Sequence, residues 1–310
     1  MNPRFSVLDQ SPMGDGFSTA DALHCTVDLA QAAEELGYVR VWVAEHHGSA
    51  SFAGSAPEIL AGLLLARTRN LSIGTGGVLL PRYSPVKVAE VFGVLASLFP
   101  GRVDMGIGRA GGPADDFTER VHLLRALVGI EDGLESDAYV TPRAVVPPRL
   151  WLLGAGLASA QLAGELGTDF AFAHFLAPSP APHAFARYRK LHPAGDEAGG
   201  VLAVRVVTAD TEKRAEALVQ SVLLWRSRKD LGEDLPLPSP EEAVRHQWTA
   251  LEAERAAVRR RHLVWGTPER VRRRLAELAD EHGVEEIMVN TLTADPADRL
   301  RSYQLLAEAA

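Results

Sequence analysis

Cysteine is almost missing from this chain: Cys25 is the only one in 310 residues. A disulfide within the chain is thereby excluded and a reducing, cytoplasmic compartment is expected. Cys25 falls in an amphipathic helical pattern and reads as a packed small side chain. An excess of cations is missing too. With 32 Lys and Arg against 40 Asp and Glu, the formal charge is −8, which argues against a nucleic-acid or anionic-membrane surface. Arg259-Arg260-Arg261 and Arg272-Arg273-Arg274 accordingly read as solvated helix faces. No apolar run is long enough to span a bilayer. Met1-Asn2-Pro3-Arg4 leads straight into a strand-like Phe5-Ser6-Val7-Leu8, with no export-signal pattern. What remains is an ordinary globular composition, 46% hydrophobic and 23% charged, sized for one large α/β barrel or two smaller domains.

The order of elements chooses between these. Ser18-Thr19-Ala20-Asp21 has capping-box form, and Leu23, Val27, Ala30, Ala33 and Leu36 share one helical face up to Gly37, a natural stop. A helix ending in glycine and feeding an apolar strand recurs at Gly167 and Gly283, which is the grammar of repeated βα units. Strands are expected near 4–8, 38–44, 71–77, 102–108, 149–153, 169–173, 201–208 and 285–291. Eight strands with intervening helices and no strong linker favour one closed (β/α)8 TIM barrel, residues 1–310, with insertions at its C-terminal face. The least regular stretches are 129–148 and 230–262; the second is long enough to cover the barrel mouth and is the candidate lid.

Two helical stretches, near 57–68 and 85–99, carry apolar residues on more than one face. Ile59, Leu60, Leu63, Leu64 and Leu65 wrap around the first, and Val88, Val91, Phe92, Val94, Leu95 and Leu98 around the second. Burial from both sides is implied, and a homodimer packed through these helices is expected. Coverage by the chain's own insertions is the alternative.

The chemistry concentrates at strand ends. Glu45-His46-His47 closes the run Tyr38 to Ala44, at the carboxyl end of a strand, where α/β proteins keep their reactive groups. Taken alone, the tripeptide fits a proton-handling site, a metal pair or a satisfied structural cluster. Gly106-Ile107-Gly108-Arg109-Ala110-Gly111 matches a dinucleotide fingerprint, with Glu131 or Asp132 as the distal acid. Arg109, however, would crowd the close backbone approach that such glycines permit, and the unit is the fourth rather than the first. Leu153-Gly154-Ala155-Gly156-Leu157-Ala158-Ser159 passes from strand into helix and suits either a phosphate cradle or a tight turn without ligand. Gly74 to Gly77 end the third strand and admit a flat ligand or merely relieve crowding. On a barrel all these strand ends open onto one face, so Glu45-His46-His47, Gly76-Gly77, Arg109 and Gly154-Ala155-Gly156 are expected to line one pocket.

At these residues the sequence resembles the bacterial luciferase-like family of flavin-dependent monooxygenases. The resemblance rests on Leu8-Asp9-Gln10-Ser11-Pro12, Trp42 to His47, Gly74 to Pro81, Pro100 to Arg109, the turn at Gly154, Val264 to Glu269 and Asp298-Arg299-Leu300. It implies a (β/α)8 barrel, usually dimeric, that binds reduced FMN delivered by a separate flavin reductase and reacts it with dioxygen to a C4a-peroxyflavin, which oxidises a small, largely apolar organic substrate. It implies that His46 assists proton transfer at the flavin, with His47 and Glu45 beside it. The non-prolyl cis peptide often found under the flavin maps onto Gly76-Gly77, and Arg109 is similar to the family's phosphate contact. Ala155 departs from the hydroxyl residue common at that turn, leaving the backbone amides and Ser159 to hold the phosphate. The segment after Gly112 is short. Three rivals are kept: an F420-dependent oxidoreductase of the same superfamily, a non-catalytic flavin-binding protein, and a metal hydrolase on Glu45, His46 and His47. For the last, adjacent strand residues point to opposite faces and converge poorly on one ion, and no metal is expected.

Overall fold

The structure, a computed structural model, describes residues 2–110, 115–131 and 140–308. Gly111, Gly112 and Asp132, named above, lie outside them. The first helix, α1 (Thr19–Glu35), opens as its sequence demands: Ser18 Oγ accepts from the Asp21 amide at 3.2 Å and Asp21 Oδ2 accepts from the Ser18 amide at 3.0 Å. α5 (Leu157–Leu166) and α10 (Pro268–His282) end on Gly167 and Gly283 in the left-handed region, at φ 59° and 61°.

The strands are β1 (Arg4–Asp9), β2 (Arg40–Val43), β3 (Ser72–Thr75), β4 (Val78–Leu79), β5 (Val103–Gly108), β6 (Arg149–Gly154), β7 (Asp169–Ala173), β8 (Val201–Thr208), β9 (Val264–Gly266) and β10 (Glu286–Asn290). All the pairings between them are parallel, and β10 pairs with both β8 and β1, which closes an eight-strand barrel. β4 resumes after the Gly76–Gly77 peptide, which is cis, so the third expected strand, 71–77, ends at Thr75 and pairing continues past its expected end. β9 is an addition outside the ring, pairing only with the last residues of β8. The remaining helices are α2 (Pro57–Arg67), α3 (Pro85–Leu98), α4 (Phe117–Leu127), α6 (Ala181–Leu191), α7 (Glu212–Asp230), α8 (Pro240–Arg245), α9 (Ala250–Arg260) and α11 (Pro296–Glu308). None is long and apolar enough to cross a membrane.

Strand alternation sorts the side chains. On β8, Leu202, Val204 and Val206 point out into the main core between barrel and helices, whereas Val201 and Ala203 point into the barrel. The barrel interior is layered. At the amino ends, Arg40 bonds Glu286 at 2.6 Å and Asp104 at 2.5 Å, and the indoles of Trp42 and Trp151 donate to Asp104 at 2.9 and 3.1 Å. Above this network lie Leu8, Ala44, Ala203, Met288 and the partly buried Leu153.

The stretch 230–262 is more regular than its composition suggests. α8 and α9 are capped by Ser239 and Thr249, and Arg259 pairs with Asp230 at 3.0 Å. α7 and Ala256 of α9 bury a second apolar cluster with Phe52 and Leu237. On α2 and α3 the apolar residues do wrap around the axis. Leu60, Leu64, Val88 and Phe92 are buried, whereas Ile59 and Leu98 are 71% and 66% exposed, with Leu63 and Val94 at 43%.

Candidate active site

The inward column of β2, Arg40, Trp42 and Ala44, continues past the strand to His46, which stands at the carboxyl end of the barrel. Its imidazole lies 4.4 Å from the Phe52 ring, which in turn meets Trp225 of α7 at 5.6 Å. The Nε2 of His46 is 3.1 Å from Nε2 of Gln10, which follows β1. Arg205 of β8 fixes the orientation of that amide. A guanidinium can only donate, and its Nη2 reaches Gln10 Oε1 at 3.5 Å, so the Gln10 amide nitrogen donates to His46. His46 Nε2 is therefore the acceptor and the ring proton resides on Nδ1, which is buried and without a hydrogen-bond partner among the described residues. Burial, then the charges of Lys229 and Arg205, push the His46 pKa down to about 4. The ordinary histidine pKa of about 6.5 does not hold here; at neutral pH the ring is uncharged.

Glu45 and His47 form a different group. The Glu45 carboxylate is sealed from solvent and accepts from the Leu79 amide at 2.9 Å, the Tyr83 hydroxyl at 2.7 Å and His47 Nε2 at 2.5 Å. It ties the end of β2 to the chain beyond the cis peptide. Its bond to Tyr83, added to burial, raises the phenol to about 12, so Tyr83 stays a donor. The tripeptide thus divides: His46 faces the barrel axis, while Glu45 and His47 brace the neighbouring loop.

Gly76 and Gly77 occur where backbone and side chains leave no space. A Cβ on Gly76 would lie 2.6 Å from Leu8 Cδ1, and one on Gly77 would lie 2.7 Å from the Gly106 carbonyl oxygen. Arg109 follows β5 and is exposed. Next to it, β6 ends at Gly154, with Ser159 packed directly against that glycine. Gly156 is the N-cap of α5 and no side chain caps it, so the first amides of the helix are open to a ligand. A Cβ on Gly156 would meet nothing within 4 Å, which leaves room above the turn. Ala155 is half-buried and offers no hydroxyl.

The sequence-predicted residues therefore sit at the carboxyl ends of four neighbouring stretches of the barrel wall, β2, β3–β4, β5 and β6. The expected shared pocket is less simple. Two cavities at the other side of this end, about 480 and 40 Å³, are lined by β8, α7, α9, β9 and α10 residues and not by Gly76, Arg109 or Gly154. Sequence reasoning passed over Phe52, Tyr83, Arg205 and Trp225. Only Arg205 carried a signal, as the single charge in the apolar run Val201–Thr208.

Comparison with known proteins fits this geometry. A model of the luciferase-like monooxygenase family matches residues 4–286. The chain is 40% identical to the uncharacterized protein YwcH of Bacillus subtilis (strain 168), covering 98% of both chains. It is 36% identical to the N-acetyl-S-alkylcysteine monooxygenase of the same organism, over 99% of this chain and 98% of that protein. The crystal structure of apo-MsnO8 superposes with a TM-score of 0.90 at 37% identity, covering 99% of this chain and 98% of that one. Solved structures that share the fold include one in complex with FMN, at 20% identity, and one in complex with an F420-acetone adduct, at 17% identity. By its sequence and by its barrel, this chain belongs to the luciferase-like monooxygenase family.

Proposed function

We propose that the protein is an FMN-dependent monooxygenase acting on a small organic substrate, with reduced FMN supplied by a separate flavin reductase. One observation carries this reading. His46, Gly76-Gly77, Arg109 and the uncapped start of α5 stand at the same end of neighbouring strands, in the order that a flat ring with an anionic tail requires. The residues fit the cofactor. The open amides after Gly156, Ser159 and the Arg109 guanidinium would hold the phosphate, the backbone at Gly76-Gly77 would lie against the ring, and His46 would border its reactive edge. When bound, reduced FMN supplies the two electrons that divide dioxygen between substrate and water. The chain's own part is to exclude water with Phe52 and Trp225 and to hold one proton at His46 Nδ1, which no described residue claims. Glu45 and His47 are assigned to positioning. The relative named for N-acetyl-S-alkylcysteine makes thioether-bearing organic acids the first substrates to try.

Titration with FMN in both redox states and with F420, followed by oxygen uptake under reductase-supplied FMN, tests the reading. Tight binding of reduced FMN, weakened about tenfold or more in Arg109→Ala, is the expected result. Binding of F420 with indifference to FMN would instead assign hydride transfer. FMN binding with oxygen consumption that no candidate substrate alters would make the chain a flavin carrier. The exposed Ile59, Leu63, Val94 and Leu98 support a homodimer through α2 and α3, and a monomeric mass by light scattering at micromolar concentration would remove it.

A further inference from the structure

Arg205 is a cation inside the barrel that no carboxylate among the described residues neutralises. It continues the inward column Val201, Ala203. Its Nε is closed off from solvent and has no hydrogen-bond partner among the described residues. The guanidinium reaches only Gln10 Oε1, at 3.5 Å, and otherwise lies over the rings of Phe175 and Trp225 at 5.1 and 5.8 Å. On its far side is the cavity of about 40 Å³, walled by Arg205, Arg226 and Arg259 together with the apolar side chains of Phe175, Leu223 and Leu263. Asp230 pairs with two of these three guanidiniums, at 2.6 Å from Arg226 and 3.0 Å from Arg259, and no ion pair reaches Arg205 among the described residues. The Nε of Arg226 is buried and unpartnered as well. Burial, then repulsion from Arg226, push the Arg205 pKa down to about 9.

The cluster is half-buried, with the Arg226 and Arg259 side chains about a third exposed, but its surplus positive charge and its two orphaned, solvent-excluded Nε donors are what an anion would complete. We propose that this cavity is the anion subsite of the substrate pocket and takes the carboxylate of an organic acid, whose alkyl part runs over Phe175 and past Arg205 toward His46. Phosphate of the flavin is the competing source of negative charge. It has its own cradle at the end of β6, with β7 standing between that strand and β8. Proximity to the reacting end follows from contacts already described: Arg205 bonds Gln10, Gln10 bonds His46, and Trp225 packs on the Phe52 ring that covers His46. The direction toward His46 rests on the monooxygenase reading; the subsite itself does not.

The test is calorimetric titration of the full chain with butyrate, hexanoate and octanoate and with the corresponding primary amides, in the presence and absence of FMN. The acids should bind about tenfold tighter than the amides. Arg205→Gln should abolish that preference, Arg205→Lys should retain part of it, and FMN affinity should stay within about twofold in both. Arg226→Gln, farther from Gln10, serves as a second variant in the same wall and should reduce the preference about threefold. Equal binding of acids and amides by the unaltered chain, or a preference that survives Arg205→Gln, overturns the proposal. So does a loss of FMN affinity as large as the loss of acid affinity, which would give the site to the flavin phosphate. A chain that ignores FMN and F420 yet keeps its acid preference removes the monooxygenase reading and leaves the subsite standing.

Discussion

Arg40 and Arg205 are two guanidiniums inside one barrel, and they meet opposite surroundings. Arg40, at the amino end, is held by Asp104 at 2.5 Å and Glu286 at 2.6 Å beneath the Trp42 and Trp151 indoles. Burial alone would lower its pKa, but the two carboxylates outweigh burial and raise it. Arg205, at the carboxyl end, has no carboxylate partner among the described residues, and burial lowers it. At the floor of the barrel Arg40, Asp104 and Glu286 hold one another through hydrogen bonds, whereas the mouth carries donors and charge that the described residues leave unanswered. The same division runs through the hydrogen bonds: Asp104 accepts from three side chains, while His46 Nδ1 and the Nε atoms of Arg205 and Arg226 have no hydrogen-bond partner among the described residues. One end is built for stability and the other for a partner.

The largest effect should come from breaking the floor. Arg40→Met leaves Asp104 and Glu286 buried without their counterion, at a cost on the order of 3–5 kcal/mol, read as a lower denaturation midpoint. Unchanged stability would mean that the network is incidental to the fold. At the mouth, His46→Ala should lower turnover by about 10²–10⁴-fold while the denaturation midpoint moves little. A variant that loses stability and activity together would erase the division of labour between the two ends.

The sequence announced the barrel because parallel strands buried on both faces are apolar runs, and helices stopping at Gly37, Gly167 and Gly283 punctuate them. It missed β9, whose three residues pair only with the end of β8 and carry no periodicity. It also read 230–262 as irregular although Thr249 and Glu252 form a capping box there. His46 was legible because a polar tripeptide ended an apolar strand. The separation of His46 from Glu45 and His47 was not, since it depends on Tyr83 and the Leu79 amide reaching Glu45 across a turn. Arg205 was harder still. Gln10 lies 195 residues earlier in the chain, and only closure of the ring brings the two together. The neutrality of His46 likewise comes from Phe52 and the α7 insertion, which local sequence does not announce.

Acid should expose the mouth next. His174, which follows β7 at this end, is 7% exposed, and burial followed by the charge of His282 lowers its pKa to about 4, as happens to His46. Between about pH 6.5 and 4 the unfolded chain takes up protons that these rings refuse in the fold, so stability is full above the unfolded pKa and falls as pH drops through that window. His174 contributes on the order of 2–3 kcal/mol to that fall. His174→Gln should flatten the pH dependence of the melting temperature; an unaltered slope would place the acid sensitivity elsewhere.

The smallest effect has the most informative sign. Arg205→Met removes a charge that has no carboxylate partner among the described residues, so it should leave stability unchanged or raise it by about 1–2 kcal/mol, a rise in melting temperature of a few degrees. The same substitution at Arg40 removes the answer to two carboxylates and must destabilise. Opposite signs for one chemical change at the two ends of the barrel would show that the mouth gives up stability to keep a cation available. A loss at Arg205 comparable to that at Arg40 would mean that its ring contacts with Phe175 and Trp225 already satisfy it, and the charge would then need no anion.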